Sequence, residues 1–314
     1  MQTRILGKTE LELTTLGLGT WAIGGPWEYG WGPQDEDDSI RTIIAAIDGG
    51  INWIDTAPIY GCGHSEQIVG KAVRNFCDKP LIATKCGLAW NTKREKVNCL
   101  DAASILRECD DSLRRLKVET IDLYQMHWPQ PDEQIEEAWA AMAKCVRQGK
   151  VRYLGASNVT VAHLERLAKV HPVAAIQPPY SMLRREIEAD VLPYCGQNGI
   201  GVVCYSPMQK GLLTGTFSKE RMQSLAPDDH RRNDPIFQGE KLEQNLKRVE
   251  ALRRIAERHG KTVAQLAIAW TLRRPEVTSA IVGARKPEQI RQTLPAGDWT
   301  LDDETINEIE TVLK

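Results

Sequence analysis

The hydrophobic pattern of this chain changes period repeatedly along its length. Two short alternating runs come first, Arg4–Leu6 and Glu10–Thr14, with Gly7 and Lys8 between them, and they predict a small β-hairpin. Short apolar runs rich in Val, Ile and Leu then recur at Thr15–Thr20, Asn52–Thr56, Leu81–Lys85, Ile121–His127, Val151–Ser157, Ala174–Gln177, Gly201–Tyr205 and Ser279–Val282. Such runs suit strands buried on both faces of a parallel sheet. Helix-period runs alternate with them at 35–50, 64–75, 101–117, 135–150, 160–171 and 188–199. The first opens on acidic residues and closes on Gly49-Gly50, as the helix dipole and a Gly stop require. Eight strands alternating with helices predict an α/β chain folded as one (β/α)8, or TIM, barrel over residues 1–314. A doubly wound sheet would open with a G-x-G-x-x-G turn, whereas the first strand here ends in GLGTWAIGG.

One connection breaks the rhythm. Residues 206–278, after the seventh strand, far exceed an ordinary βα loop. The insertion begins SPMQKGLLTG, turns polar and basic around Asp228–Arg232, and ends in helix-period runs at Glu240–His259 and Val263–Leu272. A long loop on that face is expected to cover a ligand. A last helix, Asp302–Leu313, is expected to pack outside the barrel.

Composition narrows the function classes. With 42% hydrophobic residues and a formal net charge of -2, the chain is neither a general nucleic-acid binder nor a membrane-surface binder. No apolar run approaches the roughly 20 residues of a membrane span, and the start MQTRILGKTELEL lacks the apolar core of a secretion signal. The eight cysteines form no CxxC pair, which predicts reduced thiols of a cytosolic protein and no metal site.

The candidate chemistry lies at strand ends. WIDTAPIYGCGHSE places Asp55 and Tyr60 where a strand breaks into a Gly-containing loop, LIATKCG ends near Lys85, and IDLYQMHW ends near His127. In a parallel barrel these ends open onto one face, where catalytic residues collect. A lysine beside a buried strand needs a partner, and Asp55 is the natural one. The ammonium is expected to stabilise the phenolate of Tyr60 and so ease proton donation. His127 can hydrogen-bond a carbonyl oxygen. Together the four would polarise a carbonyl and protonate its oxygen, with hydride coming from a cofactor.

At this point the chain resembles a known family, the aldo-keto reductases. The resemblance runs nearly end to end, through GLGTW at 17–21, DTAPIYGCGHSE at 55–66, ATKCG at 83–87, QMHWP at 125–129, GKVRYLGASN at 149–158, IQPPYS at 176–181, YSPMQKGLLTG at 205–215 and IVGARKPEQIRQ at 281–292. It implies Asp55, Tyr60, Lys85 and His127 as a catalytic tetrad, Tyr60 as general acid, and direct hydride transfer from bound NADPH to a small-molecule carbonyl substrate. For the cofactor it implies Thr20, Trp21 and Asp55. Ser157, Asn158 and Gln177 suit a nicotinamide carboxamide, and Tyr205 suits stacking on the ring. Ser206, Pro207, Met208, Lys210, Gly211 and Leu212 resemble a loop that crosses the pyrophosphate. Gly283 and Arg285 precede a helix start, where a guanidinium can take a 2′-phosphate with help from helix amides. Gln289, Gln292 and Thr293 would then face the adenine.

Trp21 and Trp128 are expected to line the substrate pocket; for Trp27, Trp31 and Trp90, pocket lining and loop packing both stay open. Arg231 and Arg232 read as a solvated charge cluster with a phosphate contact as the alternative. Many relatives are monomers. Two rival functions remain: a lyase using Lys85 as a Schiff base, and a nicotinamide-binding regulatory subunit with slow turnover.

Overall fold

The computed structural model describes residues 1–74, 76–226 and 229–314. The final residue of the expected helix at 64–75 and the first of the polar stretch at 228–232 lie outside them. The chain opens with the predicted hairpin, β1 (Thr3–Ile5) against β2 (Glu12–Thr14), with Thr3 opposite Thr14. The barrel strands follow: β3 (Leu16–Gly19), β4 (Trp53–Asp55) and β5 (Leu81–Cys86). A second small hairpin, β6 (Leu88–Trp90) with β7 (Lys96–Asn98), interrupts them. Then come β8 (Ile121–Met126), β9 (Val151–Ser157), β10 (Ala175–Gln177), β11 (Gly201–Tyr205) and β12 (Val277–Gly283). The eight barrel strands are parallel, neighbours in chain order, and closed by β12 against β3.

Helices α1 (Glu36–Asp48), α2 (His64–Val73), α3 (Ala102–Leu116), α4 (Ile135–Arg147), α5 (Val161–Ala168) and α6 (Val191–Asn198) follow the first six barrel strands in turn. The insertion carries α7 (Lys219–Gln223), α8 (Gly239–Arg258) and α9 (Val263–Leu272). After β12 come α10 (Pro287–Thr293) and α11 (Asp303–Leu313). Local sequence sets the helix ends. Asp35 accepts the Asp38 amide at the head of α1, and Thr262 with Gln265 forms a capping box on α9. No helix among the described residues is long and apolar enough to cross a membrane.

The β6–β7 hairpin was not expected from the pattern. Its strands are three residues each, too short for an alternation to register. Its turn is closed by Asn91 Oδ1, which accepts from the amides of Lys93 and Glu95.

Inside the barrel, the layer nearest the N-terminal hairpin is apolar. Leu6, Leu11 and Leu13 pack there with Trp53, Ala83, Leu123, Ala175, Val203 and Ile281. Trp53 fills the centre because Gly17 leaves room: a Cβ on Gly17 would stand 2.1 Å from the indole. Strand side chains alternate, so the next inward residue on each strand lies two positions on. That step leads from Trp53, Ala83, Leu123, Ala175 and Val203 to Asp55, Lys85, Gln125, Gln177 and Tyr205. The apolar layer thus holds up a polar one at the C-terminal mouth.

Candidate active site

Lys85 is fully buried at the end of β5. Its ammonium donates to Asp55 Oδ2 at 2.7 Å, Asp55 Oδ1 at 2.9 Å and the Thr56 carbonyl at 3.0 Å. It reaches the Tyr60 hydroxyl at 3.4 Å and stands 5.1 Å from the centre of the phenol ring. His127 sits edge-on to Tyr60, with ring centres 5.8 Å apart. The structure therefore brings Asp55, Tyr60, Lys85 and His127 together.

The loop that presents Tyr60 is a tight one. Gly61, Cys62 and Gly63 all have positive φ, and the Gly63 amide donates to Pro58 O at 2.6 Å. A Cβ on Gly61 would lie 1.9 Å from Gly24 O, so glycine is what lets the turn after β3 press against this loop. Ser65 secures the contact by donating to the Thr20 hydroxyl and carbonyl, and the Thr20 hydroxyl donates to Asp55 O.

Burial dominates the electrostatics. It pushes the Tyr60 phenol well above an ordinary tyrosine, with Asp55 adding to the rise. The Lys85 ammonium, expected to ease proton loss from the phenol, lies closest to the two carboxylate oxygens of Asp55 and farther from the Tyr60 hydroxyl. Burial also lowers Lys85, opposed chiefly by Asp55. His127 is pushed well below an ordinary histidine by burial and by Lys85, so its imidazole is neutral, and its Nδ1 is buried without a partner.

Two polar residues of the site escaped the sequence reading. Gln125 donates to Asp55 Oδ1 at 3.3 Å and accepts from Gln177 Nε2 at 3.3 Å. It shares strand parity with His127, a signal that was available. Glu66 is fully buried behind Lys85, accepting from Thr84 Oγ1 and Arg115 Nε at 2.6 Å each.

The expected cofactor residues form a linked arc. Gln177 Nε2 donates to Asp55 Oδ1 at 2.7 Å, and Ser157 Oγ donates to Gln177 O. Asn158, at φ 60°, donates to His127 O and accepts from the Tyr205 hydroxyl at 2.8 Å. Burial raises that hydroxyl to about 12. Beyond Tyr205 the chain coils tightly, with positive φ at Ser206, Gln209, Lys210 and Gly211. Pro207 is buried, Met208 half-buried and Leu212 fully buried. Lys210 is paired with Asp234 at 2.8 Å. Across the mouth, Gly283 keeps a cleft open: a Cβ there would meet nothing nearer than Gly19 O at 3.9 Å. The orphaned His127 nitrogen and this cleft fit a nicotinamide cofactor with a carbonyl compound beside it.

Past Gly283 the picture differs from the expectation. The amides of Arg285 and Lys286, pictured as free for phosphate, both donate to Gln289 Oε1. Gln292 is exposed, while Thr293 is buried and donates to Ile290 O. Arg231 is not part of a solvated cluster. It is 7% exposed, bidentate to Asp229, and its guanidinium lies 4.6 Å from the centre of the Trp31 ring. Arg232 donates to the carbonyls of Gln223, Leu225 and Ala226.

Aromatic residues roof the site. Trp21 stacks over Tyr60 at 6.4 Å and donates to Tyr29 O, and Trp27 also lies 6.4 Å from Tyr60. The insertion adds His230, which packs against Trp21 at 4.7 Å and Trp31 at 4.9 Å and was not singled out in the sequence. Trp90 packs beside Leu88 under Arg115, and Trp128 is exposed at the rim. A cavity of about 840 Å³ opens past this roof, lined by Trp27, Tyr29, Arg94, Lys210, His230 and Asp234 among others.

Comparison with known proteins agrees with this geometry. Residues 15–314 match the model of the Aldo/keto reductase family. The chain is 41% identical to Aldo-keto reductase YhdN of Bacillus subtilis, over 100% of this chain and 94% of that protein. It is 37% identical to an NADH-specific methylglyoxal reductase of Escherichia coli, over 95% of this chain and 94% of that one. The structure of a glycerol dehydrogenase from Gluconobacter oxydans superposes with a TM-score of 0.91 at 41% identity, covering 99% of this chain and 94% of the other. The strand-end groups, the barrel that holds them and these likenesses over nearly the whole length lead to one conclusion: the chain belongs to the aldo/keto reductase family.

Proposed function

We propose that this protein reduces aldehydes and ketones to alcohols with NADPH, with Tyr60 as the proton donor. The observation that carries the reading is the contact chain from Asp55 through Lys85 to Tyr60, with His127 against the same phenol. A bound reduced nicotinamide supplies the hydride. Tyr60 stays protonated at neutral pH because its buried phenolate is disfavoured, so a proton is always at hand on the reacting face. Lys85 stabilises negative charge as it develops on the phenol oxygen, and Asp55 keeps that ammonium charged and aimed. Neutral His127 can donate a hydrogen bond to the substrate oxygen and fix its direction.

Ser157, Asn158 and Gln177 orient the nicotinamide carboxamide, Tyr205 supports the ring, and Arg285 takes the 2′-phosphate. A small, oxygen-rich carbonyl compound is the substrate class. The cavity mouth carries Arg94, Lys210 and Asp234, and two similar proteins are named for methylglyoxal and glycerol.

The test is Tyr60→Phe, assayed for NADPH binding by tryptophan fluorescence and for NADPH oxidation over a panel of such carbonyls. Binding should persist while turnover falls by about 10²–10⁴, the usual contribution of general acid catalysis. Turnover within about tenfold of the unsubstituted enzyme would remove Tyr60 from the role.

A further inference from the structure

Arg285 is the residue that separates NADPH from NADH in the proposed function, yet all three of its guanidinium nitrogens already have partners. Nε donates to Gln34 Oε1 at 2.7 Å, Nη1 to Trp31 O at 3.0 Å, and Nη2 to Pro33 O. Gln34 closes the ring from the other side, its Nε2 donating to Arg285 O at 2.9 Å. The nearby Arg285 and Lys286 amides are held by Gln289 Oε1. A bidentate grip on phosphate needs two guanidinium nitrogens side by side. Here each is engaged by the segment between the aromatic turn and α1, and the guanidinium is half-buried. Nη1 and Nη2 each keep a second N–H, but Nε has one, and Gln34 holds it, so a 2′-phosphate can take the Nε–Nη edge of this fork only by displacing Gln34.

We propose that Gln34 is a positioning residue that sets the preference between NADPH and NADH, by competing with the 2′-phosphate for Arg285. The inference rests on the NADPH reading above. Gln34 is the lever because it supplies the one side-chain acceptor among the three, and it grips Arg285 at both side chain and backbone. Weakening that grip frees the Nε edge of the fork for phosphate. Replacing the amide by a carboxylate strengthens it, since a hydrogen bond between two charged groups is the stronger kind. NADH lacks the phosphate and does not enter the competition.

The experiment measures equilibrium binding of NADPH and NADH to the full chain by calorimetry, for the unsubstituted protein, Gln34→Met, Gln34→Glu, Arg285→Ala and the Gln34→Met/Arg285→Ala double variant. Methionine keeps the length and loses both hydrogen bonds. Gln34→Met should raise the ratio Kd(NADH)/Kd(NADPH) by about tenfold, the worth of one such charge-assisted bond, and Gln34→Glu should lower it by a similar factor. In the Arg285→Ala background Gln34→Met should leave the ratio unmoved. A rise of less than about threefold in the single Gln34→Met variant overturns the inference. If Arg285→Ala itself leaves the ratio unchanged, the 2′-phosphate assignment fails and this inference falls with it. If Arg285→Ala collapses the ratio but Gln34→Met does not raise it, only the role of Gln34 is lost.

Discussion

Replacing Asp55 by Asn asks whether the acid is there to hold a buried ammonium. Lys85 is fully buried, and two of its three close acceptors are the Asp55 oxygens at 2.7 and 2.9 Å. Asparagine leaves one acceptor and no counter-charge, while the desolvation of the lysine is unchanged. Removing one partner of a buried ion pair costs about 3–5 kcal/mol. With a urea slope of about 3 kcal/mol/M, the unfolding midpoint should drop by about 1–1.7 M. The loss also has a pH signature. Burial already lowers the Lys85 pKa and Asp55 is its chief opponent, so the variant's folded-state pKa falls further. Above that value the unfolded chain holds a proton that the folded variant has released, so the variant gains stability as pH rises. Its deficit should therefore be larger at pH about 6 than at pH about 9, still below the ordinary lysine value. Urea unfolding of the unsubstituted protein, Asp55→Asn, Lys85→Met and the double variant at both pH values provides the check. The double variant should lose less than the sum of the single changes. A deficit below about 1 kcal/mol, or one equal at the two pH values, would refute the reasoning.

Three further outcomes follow from single contacts. Gly61→Ala places a Cβ 1.9 Å from Gly24 O at a φ of 66°, so both the fold around Tyr60 and turnover should suffer, and a variant with full activity and an unchanged melting temperature contradicts the close approach. Glu108 on α3 accepts from the Gly87 amide just past Lys85, and burial raises its carboxyl to about 7. The folded state therefore binds a proton that the unfolded chain lacks between pH about 4.5 and 7, and stability falls by about 3 kcal/mol as pH rises through that window. Melting curves of Glu108→Gln should be flatter across it, and an identical slope would count against the raised pKa. Arg231→Met strands the buried carboxylate of Asp229, so limited proteolysis should cut the insertion faster while the barrel helices stay protected; an unchanged cleavage rate removes Arg231 as its anchor.

What could be read from the sequence divides along physical lines. Barrel strands are legible because a strand covered on both faces is a continuous apolar run, and all eight runs became barrel strands. Asp55, Lys85 and His127 are legible as polar residues at the ends of such runs. Gln125 lay within reach of the same reasoning, two residues before His127 on the inward face. Glu66 did not: on α2 it looks like any solvated helix carboxylate, and only Arg115 and Thr84, brought in from other elements, make it a buried one. Arg231 misled for the same reason. Its acid partner is two residues away, but the Trp31 ring it covers lies 200 positions earlier in the chain.

The two halves of the site are fixed by different forces. Asp55, Lys85, Gln177 and Tyr205 sit one strand step above a packed apolar layer, so barrel register determines where each side chain points. A shift of one residue would turn an ionisable group outward and a core residue into the mouth. The roof has no such register. Trp21, Trp31 and His230 meet through ring contacts between the turn after β3 and the insertion after β11, held by Arg231 on Asp229 and by Arg285 on residues 31–34. Those anchors are side chains on loops, and substitutions at them can reshape the cavity without disturbing the strands below. On the proposed function, the groups that support proton transfer at Tyr60 are placed by barrel register, while the choice of carbonyl compound and of cofactor phosphate would belong to the loops. Trp21 joins the two, since it lies two residues past β3 and its ring packs near both Tyr60 and His230.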